Sequence, residues 1–210
     1  NGSELKLNSY LANVLLPALN RQGVENIGVF EAISEPTPKQ LVLLIPYKGI
    51  AQYETVLKFL ARDKTHQNDK KEYDAIPVSN RVYTRYSSSF YFAFDGLPQI
   101  VKPAKDSQLF ELRTYEGYSE NAVDRKTSMF NDGELAIFEE TGLHSVFFGS
   151  QVSGPLMPAL TYILSFKDME ERNINWEKFR THPEWKRISK LPEYANSVSD
   201  IKRTFLKPLA

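Results

Sequence analysis

Apolar and polar residues alternate most regularly between Phe110 and Glu116. This period of two predicts a strand with Phe110, Leu112 and Thr114 on one face and Glu111, Arg113 and Tyr115 on the other. We call the second set the polar trio. A charged pair and a phenol on one face indicate either a solvent-exposed surface or the lining of a polar cavity. If the apolar face meets helices, the polar trio faces the helix-free side of the sheet.

Further helix and strand signals lie on both sides of this strand. Upstream, the pattern predicts a helix over 15–22 ending at Gly23, strands over 24–30, 41–48 and 85–94, and helices around Leu57 and over 63–72. Downstream, it predicts a helix from Glu120, strands near Phe148, over 160–167 and over 199–206, a helix over 168–180 opened by Asp168 and Glu171, and a short helix starting at Pro183. The run 95–105 has the composition of a linker.

An internal repeat relates these two sets of elements. Adding 119 to the residue number converts Gly23 into Gly142 and the strand 41–48 into 160–167. The register continues without a gap from about residue 15 to residue 67, and both copies share the order glycine, strand, strand, helix. With the strand that begins at Phe110, the second copy reads βαββαβ, which is the ferredoxin-like pattern. The first copy's opening strand would precede Asn1, and we expect its absence to leave an exposed sheet edge or a borrowed strand.

The second copy also resembles the NIPSNAP family. The motifs that carry the resemblance are 110–115, Gly142, Gly154-Pro155, 160–166, 168–172, Trp176 with Phe179, 182–185 and 206–208. The family pattern has Asp where His182 stands. The resemblance implies a bacterial protein with an α+β fold, in which two tandem ferredoxin-like repeats form an architecture of the dimeric α+β barrel type. We predict a degenerate NIPSNAP-like repeat over 1–100 and a complete one over 106–210. Family resemblance brings no agreed reaction.

Composition narrows the classes of function. The 26 basic and 26 acidic residues cancel, which argues against nucleic acid as a partner. The absence of cysteine excludes disulfides and thiolate chemistry. No apolar run reaches the roughly 18 residues of a transmembrane segment. The compartment stays open between the cytoplasm and export, for instance to the periplasm, with a leader removed.

The candidate ligand-binding residues are the polar trio, His144, Arg172 and Trp176. The functional interpretation of the trio is a pocket that orients an anionic or polar ligand through Arg113 and Tyr115. The structural interpretation is an ion pair at the barrel mouth or the interdomain seam. Arg172 and Trp176 share one helix face, where core packing competes with a cation–π pair or a bridge to the Glu111 strand.

The remaining chemistry is sparse. The three histidines have no metal-binding spacing, so neither a metal site nor a cofactor is predicted. His66 and His182 fit surface or capping roles, and so does His144, which remains a candidate because it opens a strand beside Gly142. The carboxylates of Glu134, Glu139 and Glu140 are expected to face water. Neither a serine-hydrolase elbow nor a phosphate loop is present.

Three functions compete on this basis. The sequence favours a non-catalytic module that binds a small molecule in the barrel or interdomain cleft, or one that interacts with proteins, including further copies in a homo-oligomer. The alternative is a cofactor-independent enzyme, monooxygenase- or isomerase-like, by analogy with related barrels. An enzyme should have an enclosed pocket with a titratable group of strongly perturbed pKa near Arg113, Tyr115 or His144. A binding protein should have the pocket without such a group.

Overall fold

The computed structural model describes residues 2–33 and 39–209 of the 210-residue chain. The chain divides into two compact units, Asn1–Gly28 with Leu43–Tyr86 and Val29–Val42 with Ser87–Ala210. This division differs from a boundary between 100 and 106, because the first strand of the chain pairs with the last. Among the described residues, no helix combines the length and the apolar character that crossing a membrane requires.

The helices and strands alternate along the chain. The strands are β1 (Gly28–Ala32), β2 (Leu41–Leu44), β3 (Phe90–Ala93), β4 (Leu109–Glu116), β5 (His144–Ser153), β6 (Ala159–Phe166) and β7 (Asp200–Pro208). The α-helices are α1 (Gly2–Tyr10), α2 (Leu16–Asn20), α3 (Ile50–Arg62), α4 (Lys64–Asp69), α5 (Lys71–Asp74), α6 (Glu120–Met129), α7 (Leu135–Thr141), α8 (Met169–Thr181) and α9 (Pro183–Ile188). Two π-helical turns, Leu11–Leu15 and Phe130–Glu134, join α1 to α2 and α6 to α7. Short 3-10 turns cover Val78–Asn80 and Pro192–Tyr194.

The strands form one sheet in the order β2-β1-β7-β4-β6-β5-β3. In this order, each neighbouring pair from β1-β7 to β5-β3 is antiparallel. Within the sheet, the order β7-β4-β6-β5 with helices after β4 and β6 is the predicted ferredoxin-like unit. The prediction of an α+β fold is therefore confirmed.

Some first-copy elements are shorter than their pattern predicts. The strand predicted over 85–94 is limited to β3, an edge strand that pairs with β5. The strand predicted over 41–48 ends at Leu44. The helix predicted over 63–72 is broken into α4 and α5 at Lys70. Short apolar runs at a sheet edge carry less of the period-two signal than a central strand does.

Helix bounds recur at the predicted offset of 119. Helix α3 plus 119 gives α8, and α4 plus 119 gives α9. The first π-helical turn becomes the second in the same way. The residues that cap α4 and α9, Asp63 and His182, are also equivalent, so the first copy carries the Asp of the family pattern. This agreement supports duplication of one unit, apart from positions 34–38, which lie outside the described residues.

The core of the second unit is aromatic. Phe148 and Tyr162 stack with their ring centroids 4.7 Å apart, and Phe130 and Phe138 from the helices pack edge-on against both rings. All four side chains are fully buried. Strand β6 is buried along its whole length, and its one face that carries hydroxyls, at Thr161 and Ser165, is buried like the other.

Gly142 fixes the turn from α7 into β5. Its φ of 76° is left-handed, as is the φ of 69° at the equivalent Gly23. The carbonyl of Gly142 accepts a hydrogen bond from Asn175 Nδ2 at 2.9 Å, and a Cβ at position 142 would lie 2.9 Å from that nitrogen. The turn therefore requires glycine both for its backbone angle and for the close approach of α8.

Gly142→Ala is expected to lower the free energy of unfolding by about 1–2 kcal/mol, the cost of a left-handed alanine. Gly133→Ala is the matched control, because Gly133 is helical and its Cβ would meet only an ordinary contact with Ile188. It should leave stability unchanged or raise it by up to about 1 kcal/mol. Urea unfolding of both variants measures their free energies of unfolding. Equal effects would contradict a specific need for glycine at position 142.

Candidate functional site

A cleft of about 560 Å³ opens within the second unit. It lies between the helix-covered face of β4 and the segments α6, α8 and α9. Its charged and phenolic lining includes Arg113, Tyr115, Lys126, Glu134 and Tyr194, and its apolar lining includes Met129, Trp176, Phe179, Trp185 and Ile201. This volume is typical of small-molecule sites. The chain's two tryptophans both line the cleft.

The polar trio faces the helices, so the expectation that it lines the helix-free side of the sheet is wrong. On that other side, Phe110 is 3% exposed and its ring lies 4.8 Å from that of Phe30. Alternation showed correctly which residues share a face. It did not show which face the helices cover, because both faces of β4 are buried.

Glu111 has no exposed surface and is the centre of a network of hydrogen bonds. Its carboxylate accepts hydrogen bonds from Arg113 Nε at 2.8 Å, from Arg172 Nε and Nη2 at 2.9 Å each, and from Trp176 Nε1 at 2.8 Å. Burial raises the pKa of Glu111, but the Arg172 hydrogen bond, the charge of Arg113 and the indole N–H outweigh burial and hold the pKa below its ordinary value. Both the bridge to the Glu111 strand and the cation–π pair considered for this helix face are present.

Arg113 connects the Glu111 network to the cleft. Its guanidinium carbon lies 3.8 Å from the centroid of the Trp176 ring, and Nη1 donates a long hydrogen bond of 3.4 Å to Tyr115 Oη. The Tyr115 hydroxyl is 2.8 Å from that of Tyr162. Burial lowers the pKa of Arg113, while the two phenols and Glu111 raise it by more, so Arg113 stays charged. Burial also raises the pKa of Tyr162 well above its ordinary value.

A second buried pair, Lys126 with Glu134, lines the cleft. Lys126 Nζ donates to Glu134 Oε2 at 2.5 Å and lies 4.4 Å from the Phe130 ring centroid. Lys126 is 4% and Glu134 2% exposed. Burial raises the pKa of Glu134, although the charge of Lys126 opposes the shift. The expectation that Glu134 faces water is wrong, because it closes a π-helical turn, and such turns recur at functional sites.

The histidines lie outside the lining of the cleft. His144 is exposed, with Nε2 3.9 Å from a Glu171 oxygen. His182 caps α9 and contacts Glu140. His66 is buried, contrary to the surface or capping role expected for it. Among the residues that the structure describes, no three His, Cys, Asp or Glu side chains group together as metal ligands would.

The fold and the site define a class: an α+β domain of ferredoxin-like topology with a charged, aromatic cleft under its helices. Residues 110–210 match the model of the NIPSNAP family. This part of the chain is therefore a NIPSNAP-family domain. No curated protein matched the chain.

Solved structures extend the likeness to the whole chain. A proposed monooxygenase from Lactobacillus acidophilus is 10% identical and aligns over 98% of this chain and 83% of its own, with a TM-score of 0.56. Another from Fusobacterium nucleatum is 12% identical over 93% of this chain and 83% of its own, with a TM-score of 0.53. An uncharacterised NIPSNAP-like protein from Burkholderia xenovorans is 18% identical over 50% of this chain and 88% of its own, with a TM-score of 0.44. At these identities the first two show a shared fold.

Proposed function

We propose that the NIPSNAP domain is a small-molecule-binding module and that its cleft holds the ligand without transforming it. The observation that carries this proposal is the combination of a ligand-sized cleft with buried charges at its wall. A buried ion pair seldom adds net stability, since burial removes both charges from water. Such charges are better explained by what they bind than by the fold that they occupy.

The first copy of the repeat supports this interpretation as an internal comparison. At the offset of 119, Lys126 and Glu134 correspond to Leu7 and Leu15, and Arg172 and Trp176 correspond to Tyr53 and Leu57. The first copy builds the same helices and π-helical turn without these charges. Lys126 and Glu134 are the strongest case, because both members of the pair are replaced together. The fold itself does not require them.

An enzyme is the second candidate, and one observation favours it. Glu134 is a buried carboxylate with a raised pKa beside Lys126, and it lines the same cleft as Tyr115, which meets part of the criterion set for a catalytic pocket. The two solved structures of similar fold described as proposed monooxygenases point in the same direction, by fold analogy alone. We rank catalysis second because Lys126 already engages the Glu134 carboxylate, which leaves it less free to exchange a proton with a substrate.

Tryptophan fluorescence tests the proposal directly, since both tryptophans line the cleft. We expect some members of a library of aromatic and acyl compounds to change the emission and also raise the melting temperature. Trp176→Leu, the residue of the first copy, should weaken binding at least about tenfold, because it removes the largest apolar wall. Tyr118→Leu is the control, an exposed aromatic outside the lining.

Two outcomes would count against the binding module. A library without a single compound that affects both signals would contradict a ligand site. Recovery of a bound compound in altered form, identified by mass spectrometry after incubation, would favour the enzyme instead.

A further inference from the structure

The charges at and behind the cleft wall do not balance. Among the described residues, this cluster comprises the buried Lys126, Arg172, Glu111 and Glu134, together with Arg113, whose side chain is 12% exposed at the cleft wall. Lys126 and Glu134 neutralise each other, and one of the two arginines neutralises Glu111. One positive charge therefore remains, on a guanidinium at the cleft wall with only 12% of its side chain exposed. Partial removal from water makes such a charge unfavourable without its own counter-charge, so an anion that restored the balance would be stabilised there.

Arg172 is the arginine that belongs to Glu111. It meets the carboxylate with two parallel hydrogen bonds of 2.9 Å, the bidentate arrangement that suits a guanidinium best. Trp176 adds a donor from the same helix at 2.8 Å. If Arg113 turned away, Glu111 would still accept three hydrogen bonds and retain a counter-charge.

Arg113 is the arginine that reaches the cleft. It lines the cleft wall, whereas Arg172 does not. Its Nη1 donates only the long 3.4 Å hydrogen bond to Tyr115, so this N–H has little to lose by changing partner. Its guanidinium carbon lies 3.8 Å from the centroid of the Trp176 ring, and that ring also forms the apolar wall beside it.

We propose that the ligand is an organic monoanion, a carboxylate with an aromatic or acyl body. This inference rests on the binding function proposed above. Its carboxylate meets Arg113 Nη1 and the Tyr115 hydroxyl and supplies the missing negative charge. Its apolar body lies against Trp176, Phe179 and Trp185. An amide or an amine of the same shape fits the apolar wall equally well and leaves the charge uncompensated.

Calorimetric titration of the full chain with two sets of matched compounds tests this. One set is 2-naphthoate, 2-naphthamide and 2-naphthylmethylamine, and the other is decanoate, decanamide and decylamine. We expect each carboxylate to bind at least about tenfold more tightly than its amide, the usual worth of a charged hydrogen bond, and each amine to bind least.

Variants locate the preference. Arg113→Gln should bring carboxylate and amide to equal affinity, while Arg113→Lys should keep part of the preference. Arg203→Gln is the matched control, because Arg203 is paired directly opposite Arg113 on β7 but is exposed and outside the cleft lining. The Arg203→Gln variant should prefer carboxylate over amide as strongly as the wild type does.

Each outcome decides something different. Equal affinity of the wild type for carboxylates and amides would overturn the charge assignment and leave the binding module standing. Equal losses in Arg113→Gln and Arg203→Gln would replace a site at Arg113 with general attraction to positive charge. If neither set bound at all, this inference would fail, and the compound library would decide the proposed function separately.

Discussion

Replacing Glu111 with glutamine is expected to lower the free energy of unfolding by about 3–5 kcal/mol, the cost of leaving buried charges unpaired. The carboxylate is the shared counter-charge of Arg113 and Arg172, and it accepts the indole N–H of Trp176. An amide has one oxygen to offer these donors and presents its own N–H groups to two guanidinium ions. The variant therefore loses both charge balance and hydrogen bonds at a side chain that is itself fully buried.

Urea unfolding at pH 7 measures this loss, with Glu177→Gln as the matched control. Glu177 also pairs with an arginine, Arg180, but both side chains are exposed. Exposed pairs contribute about 0–1 kcal/mol, so the control should be close to the wild type. Equal losses of unfolding free energy in the two variants would mean that burial does not strengthen the ion pairs of Glu111.

The effect of Glu111→Gln should also depend on pH, in a direction that follows from linkage. The pKa of Glu111 is lower in the folded protein than its ordinary value of 4.5. Its contribution is therefore fully present above the unfolded pKa and is lost as the pH falls through the folded pKa. The stability difference between wild type and variant should be constant near neutrality and shrink below about pH 4.5. A difference that grew in acid would contradict the lowered pKa.

Sequence signals predicted most of the helix and strand positions of the second repeat. Alternation located β4, and the glycine at 142, the cap at Asp168 and the proline at 183 placed helix ends where the structure has them. These signals are local, because each depends on the φ angle or the hydrogen bonds of a few neighbouring residues. The offset of 119 also relates the bounds of α3 and α4 to those of α8 and α9.

The site was less accessible to sequence reasoning, for two physical reasons. The side of the sheet that the helices cover is a tertiary property, and the polar trio has enough buried partners to lie on the helix side. Lys126 and Glu134 meet across a π-helical turn, which adds a residue to the helical repeat and turns Glu134 inward. A helical period of 3.6 places that carboxylate elsewhere. The signal that could have found the pair is the repeat itself, in which both positions are leucine.

Converting the cleft pair to its first-copy counterpart is expected to separate stability from binding. Lys126→Leu combined with Glu134→Leu reproduces Leu7 and Leu15, respectively, the residues at the equivalent positions of the first copy. Replacing a buried ion pair with apolar side chains of similar volume is neutral or stabilising by about 1–4 kcal/mol. The double variant should therefore unfold at higher urea concentration than the wild type, or at the same one. It should bind ligand more weakly, because the polar part of the cleft wall has gone.

The single variants complete the cycle and set the expected asymmetry. Glu134→Leu leaves an ammonium group buried without a counter-ion, which costs several kcal/mol, up to roughly 3–5. Lys126→Leu costs less, because burial already raises the pKa of Glu134 and the carboxyl group can take up a proton. The losses of the two singles should not add in the double variant, since the two groups touch. A double variant as unstable as Glu111→Gln would show that the fold needs this pair, and the argument from the first copy to a ligand site would then fail.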